Sequence, residues 1–168
     1  MKKYIFVLCS FFLTMGLLSS CKKEAKGTDK ELFDMAKSTA NFTFYKNSDV
    51  QLPKSSGTGH SELFLKTRYN TIAASFLDAN GKIIAGSQFA EGSVIVKELY
   101  KDANTLSRYA VLYKNTTNEN ADAKGWVWGY INSDGTVATS SSSKGDGCIS
   151  CHSQTGNIDY MLMNKYFP

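Results

Sequence analysis

The sequence predicts a mainly β fold of the α+β class, in which an antiparallel sheet is accompanied by a few short helices. Beyond residue 60, β-branched and aromatic residues recur with the alternation of a half-buried strand. Turn signals that contain glycine or asparagine separate these segments at short intervals, as antiparallel hairpins require. The length of 168 residues suits one domain with an appendage.

The N-terminal residues are typical of an export signal. Lys2 and Lys3 form a short positive region, and residues 4–18 are an almost uncharged apolar run. This run is shorter than the roughly 20 apolar residues of a transmembrane helix. Residues 18–21 (LSSC) resemble a bacterial lipobox, which predicts cleavage after residue 20 and acylation of Cys21. An uncleaved anchor with an ordinary thiol at Cys21 is the alternative.

This interpretation divides the chain into three parts: a lipoprotein signal at residues 1–20, a lipid-anchored linker at residues 21–30 and a domain at residues 31–168. The linker is polar and lysine-rich, as expected of a tether. The protein is therefore expected in the bacterial cell envelope. It would be anchored to a lipid membrane through Cys21, facing the periplasm or associated with the outer membrane.

A short helix is predicted near the start of the domain. Thr28 and Glu31 have the spacing of a capping box, in which two side chains satisfy otherwise unpaired N–H groups at a helix start. The apolar stripe that follows is modest and consists of Leu32, Phe33 and Ala36.

Strands are predicted beyond residue 61. Residues 48–61 contain a proline and two glycines and are predicted to form a loop. Residues 71–77 fit either a helix or a strand, and residues 157–166 are predicted to include a short helix. Five segments have the composition or alternation of strands: Leu63 to Tyr69, Lys82 to Ala85, Ser93 to Tyr100, Ser107 to Lys114 and Trp126 to Ile131.

The charge balance argues against a nucleic-acid binder. The chain has 19 basic and 15 acidic residues, a net charge of +4, and no basic run beyond Lys22-Lys23. Removing Lys2 and Lys3 with the signal leaves 17 basic residues against 15 acidic ones, a net charge of only +2. Four cysteines are too few for a disulfide-dense scaffold in a chain of this length, so each needs its own explanation.

The motif Cys-x-x-Cys-His at residues 148–152 predicts covalent attachment of one c-type haem. The thiols of Cys148 and Cys151 are spaced to add to the two vinyl groups of one porphyrin. His152 is then placed to coordinate the iron from one face. The export signal agrees with this interpretation, because c-type haem is attached after export.

Three other interpretations of the motif are weaker. A redox Cys-x-x-Cys usually accompanies a strand-helix unit, whereas this one follows a serine- and glycine-rich stretch near the C-terminus. A zinc site needs a fourth ligand, and His60 is the only other histidine. A plain disulfide leaves His152 without a role.

The distal ligand distinguishes a ligand-binding haem from one that mainly transfers electrons. Met161 and Met163 follow His152 too closely to reach the opposite face of the haem. His60 is a candidate sixth ligand, but a lone histidine in a loop rich in glycine and serine is more often a solvated surface residue. The sequence therefore favours an iron with an open coordination site.

Lys97 interrupts an apolar strand face. In residues 93–100 it shares a face with Ile95 and Leu99, and a buried lysine is costly unless it is paired. Its side chain either reaches an edge of the sheet or meets a specific partner such as the haem edge or a propionate.

Two further features are assigned structural roles. Trp126, Trp128 and Tyr130 alternate on one strand face and are expected to pack in the core rather than against a cofactor. Asp159 and Tyr160 are expected to fix the C-terminal segment.

Three ordered segments together resemble the cytochrome P460 family, which includes the cytochromes c′-beta. They are residues 89–98 (FAEGSVIVKE), residues 125–130 (GWVWGY) and residues 148–152, with Asp159 and Tyr160 behind them. The resemblance implies a mostly antiparallel β fold, usually a homodimer, with a five-coordinate c-type haem. In the P460 cytochromes proper, a lysine is joined to the porphyrin edge and the enzyme oxidises hydroxylamine. The c′-beta members lack that link and bind nitric oxide and similar gases.

The resemblance assigns roles to four residues of this chain. Cys148 and Cys151 take the thioether positions, His152 that of the proximal iron ligand, and Lys97 that of the cross-linking lysine.

The distal side departs from the family pattern. The hydroxylamine-oxidising members use a distal carboxylate, and in the strand where it is sought this chain has Leu112, Tyr113 and Lys114. Tyrosine and lysine, with ordinary pKa values of about 10 and 10.4, are poor bases at neutral pH. Phe89 and Tyr113 are the candidates for the distal pocket.

Two functional hypotheses follow. The first is an exported monohaem oxidoreductase whose open iron site binds or oxidises small nitrogen species such as hydroxylamine or nitric oxide, with a soluble redox partner. The alternative is a non-catalytic cytochrome of c′-beta type, which binds diatomic gases or transfers electrons.

Overall fold

A computed structural model describes residues 23–168 of the chain. The predicted signal at residues 1–20 and the predicted acylation site Cys21 lie outside the described residues. Within the described part, none of the helices has the length and apolar character needed to cross a membrane.

A seven-stranded antiparallel sheet forms the centre of the domain, which confirms the predicted fold class. The strands are β1 (Thr43–Phe44), β2 (Leu52–Pro53), β3 (Phe64–Tyr69), β4 (Val94–Tyr100), β5 (Leu106–Lys114), β6 (Trp126–Asn132) and β7 (Val137–Thr139). Their order across the sheet is β1, β3, β4, β5, β6, β7, and β2 pairs with the other end of β3. The helices accompanying it are α1 (Thr28–Lys37), α2 (Thr71–Ala74), α3 (Ile149–His152) and α4 (Met163–Tyr166).

The sheet separates two apolar cores. On one face of β4, Val94 and Val96 pack in a core that includes residues of α1. On the other face, Ile95 and Leu99 belong to a larger core that extends to the C-terminal segment. Because both faces are covered, β4 is almost continuously apolar, and Lys97 is the exception on the second face.

Helix α1 packs against the sheet, but its N-terminus is built differently from the prediction. Leu32 is fully buried, and Gly129 of β6 permits its close approach, because a Cβ atom there would lie 2.5 Å from Cδ1 of Leu32. The predicted capping box is wrong. Gly27 occupies the N-cap position, and the Thr28 hydroxyl instead accepts a hydrogen bond from the Asn120 side chain at 3.1 Å.

Residues 23–30, predicted as part of a tether, are packed against the domain. The N–H of Val137 in β7 donates to the carbonyl oxygen of Lys23 at 2.8 Å. The N–H of Ala25 donates to the carbonyl oxygen of Gly135 at 3.1 Å. The carboxylate of Asp29 accepts a hydrogen bond from the N–H of Ser141. Residues 23–29 therefore belong to the folded part of the chain, because backbone pairing orders this polar segment.

The predicted strand at Lys82 to Ala85 is wrong. Ile83 makes a single bridge to Leu77, and the segment is otherwise a loop. The side chain of Asn164 holds it by accepting from the N–H of Ile83 at 3.2 Å and donating to its carbonyl oxygen at 2.6 Å. Ile83 is buried, so its apolar side chain reflects core packing without a strand.

Truncating Leu32 tests how much the α1 contact stabilises the domain. We expect Leu32→Ala to lower the free energy of unfolding by about 2–5 kcal/mol, because the deletion leaves a cavity beneath a helix that has little apolar surface of its own. Urea unfolding of the mature chain measures the change. Leu63→Ala is the matched control, since Leu63 is 58% exposed, and equal losses in the two variants would contradict the expectation.

Candidate haem-binding site

A pocket opens on the face of the sheet opposite α1. It lies between the central strands and the C-terminal segment, and it encloses about 610 Å³ of space, part of which is open to solvent. Its wall combines β4 and β6 with the loop before β3 and the residues around the Cys-x-x-Cys-His motif. The polar and aromatic residues that the site uses are His60, Lys97, Trp128, Tyr130, Cys148 and His152.

The two cysteines of the motif border one space. Helix α3 follows directly after Cys148, and the N–H of His152 donates to the carbonyl oxygen of Cys148 at 3.0 Å. Residues three apart in a helical turn lie on one side of it, so Cys148 and Cys151 both border the cleft beside His152. Both are free thiols and partly buried. Burial raises the pKa of Cys148, and Asp146 and Cys151 add to this effect.

His152 is held as a neutral imidazole with one nitrogen available. Its Nδ1 lies 2.7 Å from the carbonyl oxygen of Tyr160, which can only accept, so Nδ1 carries the proton. Burial lowers the pKa of His152 to about 4, and the charge of Lys97 adds to this effect. The indole of Trp128 packs against the ring edge-on, with centres 5.2 Å apart. Nε2 is therefore the atom left available to bind a metal, and contacts on the other side of the ring orient it.

The turn that carries this carbonyl is fixed as predicted for Asp159 and Tyr160. Both residues have positive φ angles, 46° and 72°, in the left-handed region that side chains other than glycine rarely adopt. The Asp159 carboxylate accepts hydrogen bonds from the N–H of Phe89 at 3.0 Å and from Nε1 of Trp126 at 3.2 Å. These bonds hold the strained turn, and with it the carbonyl that orients His152.

Lys97 faces the pocket from β4. Its side chain is partly buried, and burial lowers its pKa to about 8, with the nearby Cys151 opposing the shift. Within residues 23–168, its amine has no hydrogen bond and no ion pair. Of the two sequence-based interpretations, the structure therefore favours a lysine directed at the pocket over one that reaches an edge of the sheet.

Comparison with known families decides the relationship of the chain. The sequence model of the cytochrome P460 family matches residues 44–163, well over half of the 168 residues. The chain belongs to the cytochrome P460 family. This match confirms the resemblance found in the motifs and makes the protein a haem-binding cytochrome. Searches of the curated proteins and of the solved structures give no match.

The side chains of this P460 cytochrome fit a haem. Two free thiols, an imidazole with an available nitrogen and a lysine without an anionic partner among the described residues border the pocket and the cleft that adjoins it. Within the described residues, no single group binds the two thiols, the imidazole nitrogen and the lysine amine at once. A haem offers vinyl groups to the thiols, iron to the imidazole, and a ring edge or propionate to the lysine.

His60 lies in this pocket, contrary to the preferred expectation of a solvated surface residue. It is partly buried, its Nδ1 is 2.6 Å from the hydroxyl of Tyr130, and the two rings are stacked with centres 5.8 Å apart. Burial lowers the pKa of His60 to about 2, and the charge of Lys97 adds to this effect. Tyr130 lies 70 positions away in sequence, so local composition gave no sign of this contact.

The two distal-pocket candidates lie outside the pocket, and both assignments are corrected. Phe89 is buried in the larger core, where its ring contacts those of Phe76 and Tyr69 at 5.3 and 6.4 Å between centres. Tyr113 pairs with Val94 in the β4–β5 register and lies on the α1 face, opposite Lys97. Side chains alternate along a strand, so this register excludes Tyr113 from the pocket.

The aromatic residues of β6 divide between core and pocket. Trp126 is fully buried in the core, as predicted. Trp128 and Tyr130 line the pocket instead, where Trp128 contacts His152 and Tyr130 contacts His60. Met163, one of the two methionines that follow the motif, is bonded within the protein. Its Sδ accepts a hydrogen bond from the Thr67 hydroxyl at 3.3 Å.

Proposed function

We propose that the protein is an exported c-type monohaem cytochrome that binds small nitrogen species, such as hydroxylamine or nitric oxide, at its haem iron. The observation that carries the proposal is the convergence of both motif thiols, the available Nε2 of His152 and the unpaired amine of Lys97 on the pocket and its adjoining cleft. One Cys-x-x-Cys-His motif in the chain supports a single haem.

The residues of the site have separate tasks in this proposal. Cys148 and Cys151 hold the haem through thioethers, His152 coordinates the iron, and the carbonyl of Tyr160 keeps its ring in place. Lys97 contacts the porphyrin edge or a propionate. When bound, haem supplies an iron centre that takes small ligands and exchanges single electrons.

The lining of the pocket supports ligand binding more strongly than oxidation. Among the described residues that line the pocket and its adjoining clefts, there is no aspartate or glutamate. Removing protons from hydroxylamine calls for a base near the iron. A gas-binding or electron-transferring cytochrome of c′-beta type does not depend on such a base.

Hydroxylamine oxidation is the second candidate, and Lys97, which faces the pocket at the position of the family's cross-linking lysine, favours it. Conversion of hydroxylamine to nitric oxide releases three electrons and three protons. The electrons would pass to a soluble one-electron acceptor, which is the redox partner of this proposal. His60 borders the pocket, but burial lowers its pKa to about 2, so its imidazole is a weak proton acceptor.

Spectral titration tests the proposal. The purified holo-protein is expected to change its absorption spectrum saturably with nitric oxide and with hydroxylamine, while haem-free protein from a host without the maturation machinery shows no change. A holo-protein with no spectral response to either ligand would contradict ligand binding. Steady production of nitric oxide when hydroxylamine and an oxidised dye acceptor are supplied would select the oxidase, and binding without turnover would select the c′-beta type.

We also propose that acylated Cys21 anchors the protein in the bacterial cell envelope. Metabolic labelling with a fatty acid is expected to label the wild-type chain, and Cys21→Ser is expected to abolish the label because the lipobox cysteine is the acylated residue. Cys9→Ser is the matched control, since Cys9 lies within the predicted signal and is removed with it. A labelled Cys21→Ser protein would contradict the anchor.

A further inference from the structure

We infer that Asp159 sets, through the backbone carbonyl of Tyr160, how strongly His152 donates electron density to the haem iron. Nδ1 of His152 lies 2.7 Å from that carbonyl oxygen, and Asp159 precedes Tyr160 in the same tight turn. The inference rests on the haem of the proposed function. It adds a positioning residue that borders neither the pocket nor the clefts beside it.

The turn is closed by its own backbone. The N–H of Ile158 donates to the carbonyl oxygen of Met161, and the N–H of Met161 donates to that of Ile158, both at 2.8 Å. Asp159 and Tyr160, which lie between them, both have positive φ angles, as the two central residues of a type I′ turn do. Glycine, asparagine and aspartate dominate these positions, so Asp159 suits its place and Tyr160 does not. A turn with a tyrosine here needs support from the surrounding structure.

The carboxylate of Asp159 supplies that support. Its side chain is 6% exposed, and it accepts hydrogen bonds from the N–H of Phe89 before β4 and from Nε1 of Trp126 at the start of β6. Nζ of Lys114, at the end of β5, lies 3.7 Å from the same carboxylate. These donors satisfy both oxygens of a carboxylate whose burial would otherwise be costly. One side chain therefore connects the turn to the loop before β4 and to two strands of the sheet.

The backbone of Tyr160 decides where its carbonyl points. The angles φ and ψ fix the orientation of a peptide group, so a return of Tyr160 to an ordinary negative φ would turn its carbonyl away from His152. The ring of Tyr160 packs against Trp128 with centres 5.4 Å apart, a contact that holds the side chain rather than the peptide group. The N–H of Tyr160 donates to the Asn157 side chain at 3.0 Å, but Asn157 belongs to the same segment. Asp159 is therefore the anchor that keeps the carbonyl in place.

The hydrogen bond at Nδ1 controls the ligand atom on the other side of the His152 ring. An imidazole that donates its second N–H to an acceptor is a more basic metal ligand. A more basic ligand stabilises ferric over ferrous iron, and hydrogen bonding to the axial ligand is one of the means by which proteins adjust the potential of a haem. Asp159 thus bears on which electron acceptor the haem can reduce.

Resonance Raman spectroscopy and redox titration of the holo-protein test the inference. In Asp159→Ala, the iron–histidine stretching band of the ferrous protein is expected to move to lower frequency. The ratio of ferrous to ferric haem at a fixed solution potential is expected to rise about tenfold, which corresponds to a rise of about 59 mV in a one-electron potential. An unchanged iron–histidine band in the Asp159→Ala holo-protein would overturn the inference.

Asp159→Asn separates the effect of the turn from that of the charge. Both substitutions remove the negative charge, but asparagine keeps one side-chain acceptor and tolerates a positive φ. We expect Asp159→Asn to shift the band and the potential in the same direction as Asp159→Ala, by less. Equal changes of potential in the two variants, with the band at its wild-type frequency, would make Asp159 only a nearby charge and overturn the inference.

Asp159→Asn also keeps the test decisive if Asp159→Ala does not mature. Asparagine preserves the size of the side chain but cannot accept every bond that the carboxylate accepts. Its iron–histidine band is therefore expected below the wild-type frequency, and a band at the wild-type frequency would contradict the role of Asp159.

Asp102→Ala is the matched control. The exposed Asp102 carboxylate also accepts from two N–H groups of a turn, those of Asn104 at 2.9 Å and Thr105 at 2.8 Å. This turn joins β4 to β5 and contributes no residue to the pocket. Asp102→Ala is expected to keep the wild-type band and potential, and a shift as large as that of Asp159→Ala would overturn the inference.

The two proposals fail in distinguishable ways. A protein that binds nitric oxide, but whose iron–histidine band is the same in wild type and Asp159→Ala, rejects the role of Asp159 and leaves the proposed function standing. A protein whose band shifts in Asp159→Ala, but which responds to neither nitric oxide nor hydroxylamine, supports the role of Asp159 and rejects the proposed function.

Discussion

Replacing both Cys148 and Cys151 with alanine is expected to remove all covalently bound haem from the protein. The α3 turn places both thiols on the cleft beside His152, and both are free in the described structure. Each thioether needs a sulfur within reach of a vinyl group, and no other cysteine is present in residues 23–168. The double variant can therefore hold haem only through His152 and packing, which denaturation abolishes.

Haem staining after denaturing electrophoresis measures this result. The wild-type chain is expected to stain, the double variant to show no stain, and each single variant to stain weakly because one thioether remains possible. Ser150→Ala is the matched control, since Ser150 lies between the two cysteines and is exposed. A stained band from the double variant would show attachment elsewhere in the chain and contradict the assignment.

The strands of the sheet were predictable wherever burial is regular. Residues 94–100 alternate between two covered faces. Lys97, the one polar residue on the face that carries Ile95 and Leu99, lies at the pocket. The segment around Ile83 has the same local composition but belongs to a loop, because Asn164, 81 positions away, satisfies its backbone. A local sequence pattern indicates that apolar side chains are buried, but it does not indicate which residues form hydrogen bonds with the backbone.

The start of the domain shows the same limit. Helix α1 was predictable from its spacing of apolar residues, whereas its cap depends on Gly27 and on the distant Asn120. Residues 23–25 look like a tether by composition, yet they pair with the segment that leads into β7. A polar sequence becomes ordered when a free strand edge accepts it, and that edge cannot be identified before the sheet is assembled.

Some residues of the site could be predicted from the sequence, and others depended on contacts between distant elements. Cys148, Cys151 and His152 are adjacent in sequence, so their chemistry is readable from spacing. Tyr113 was misassigned because its face depends on the β4–β5 register, which pairs it with Val94. His60 was expected to be solvated, and its burial could not be predicted because the residues it contacts, Tyr130 and His152, belong to β6 and α3. Only the folded chain brings the two histidines within 6.3 Å.

Replacing Lys97 with methionine is expected to remove any red shift of the ferrous Soret band and any covalent link between strand β4 and the haem. Lys97 is a partly buried cation on an otherwise apolar face, with no hydrogen-bonding or ion-pairing partner among the described residues. Such a side chain is retained at a cost unless something in the pocket uses its amine. Lys97 faces the pocket, and the porphyrin edge is the partner that the resemblance to the cross-linked cytochromes implies for it.

Mass spectrometry and the ferrous spectrum of the holo-protein decide this prediction together. A tryptic peptide containing residue 97 that is joined to the haem peptide in the wild type, and that separates in Lys97→Met while the Soret band moves to an ordinary c-type position, would select the cross-linked oxidase. Lys66→Met is the matched control. Lys66 pairs with Glu98 on the neighbouring strand and therefore lies on the opposite face of the sheet from the pocket. A wild-type protein with separate peptides and an ordinary spectrum would contradict the link, make Lys97 a haem contact only, and favour the gas-binding class over the oxidase.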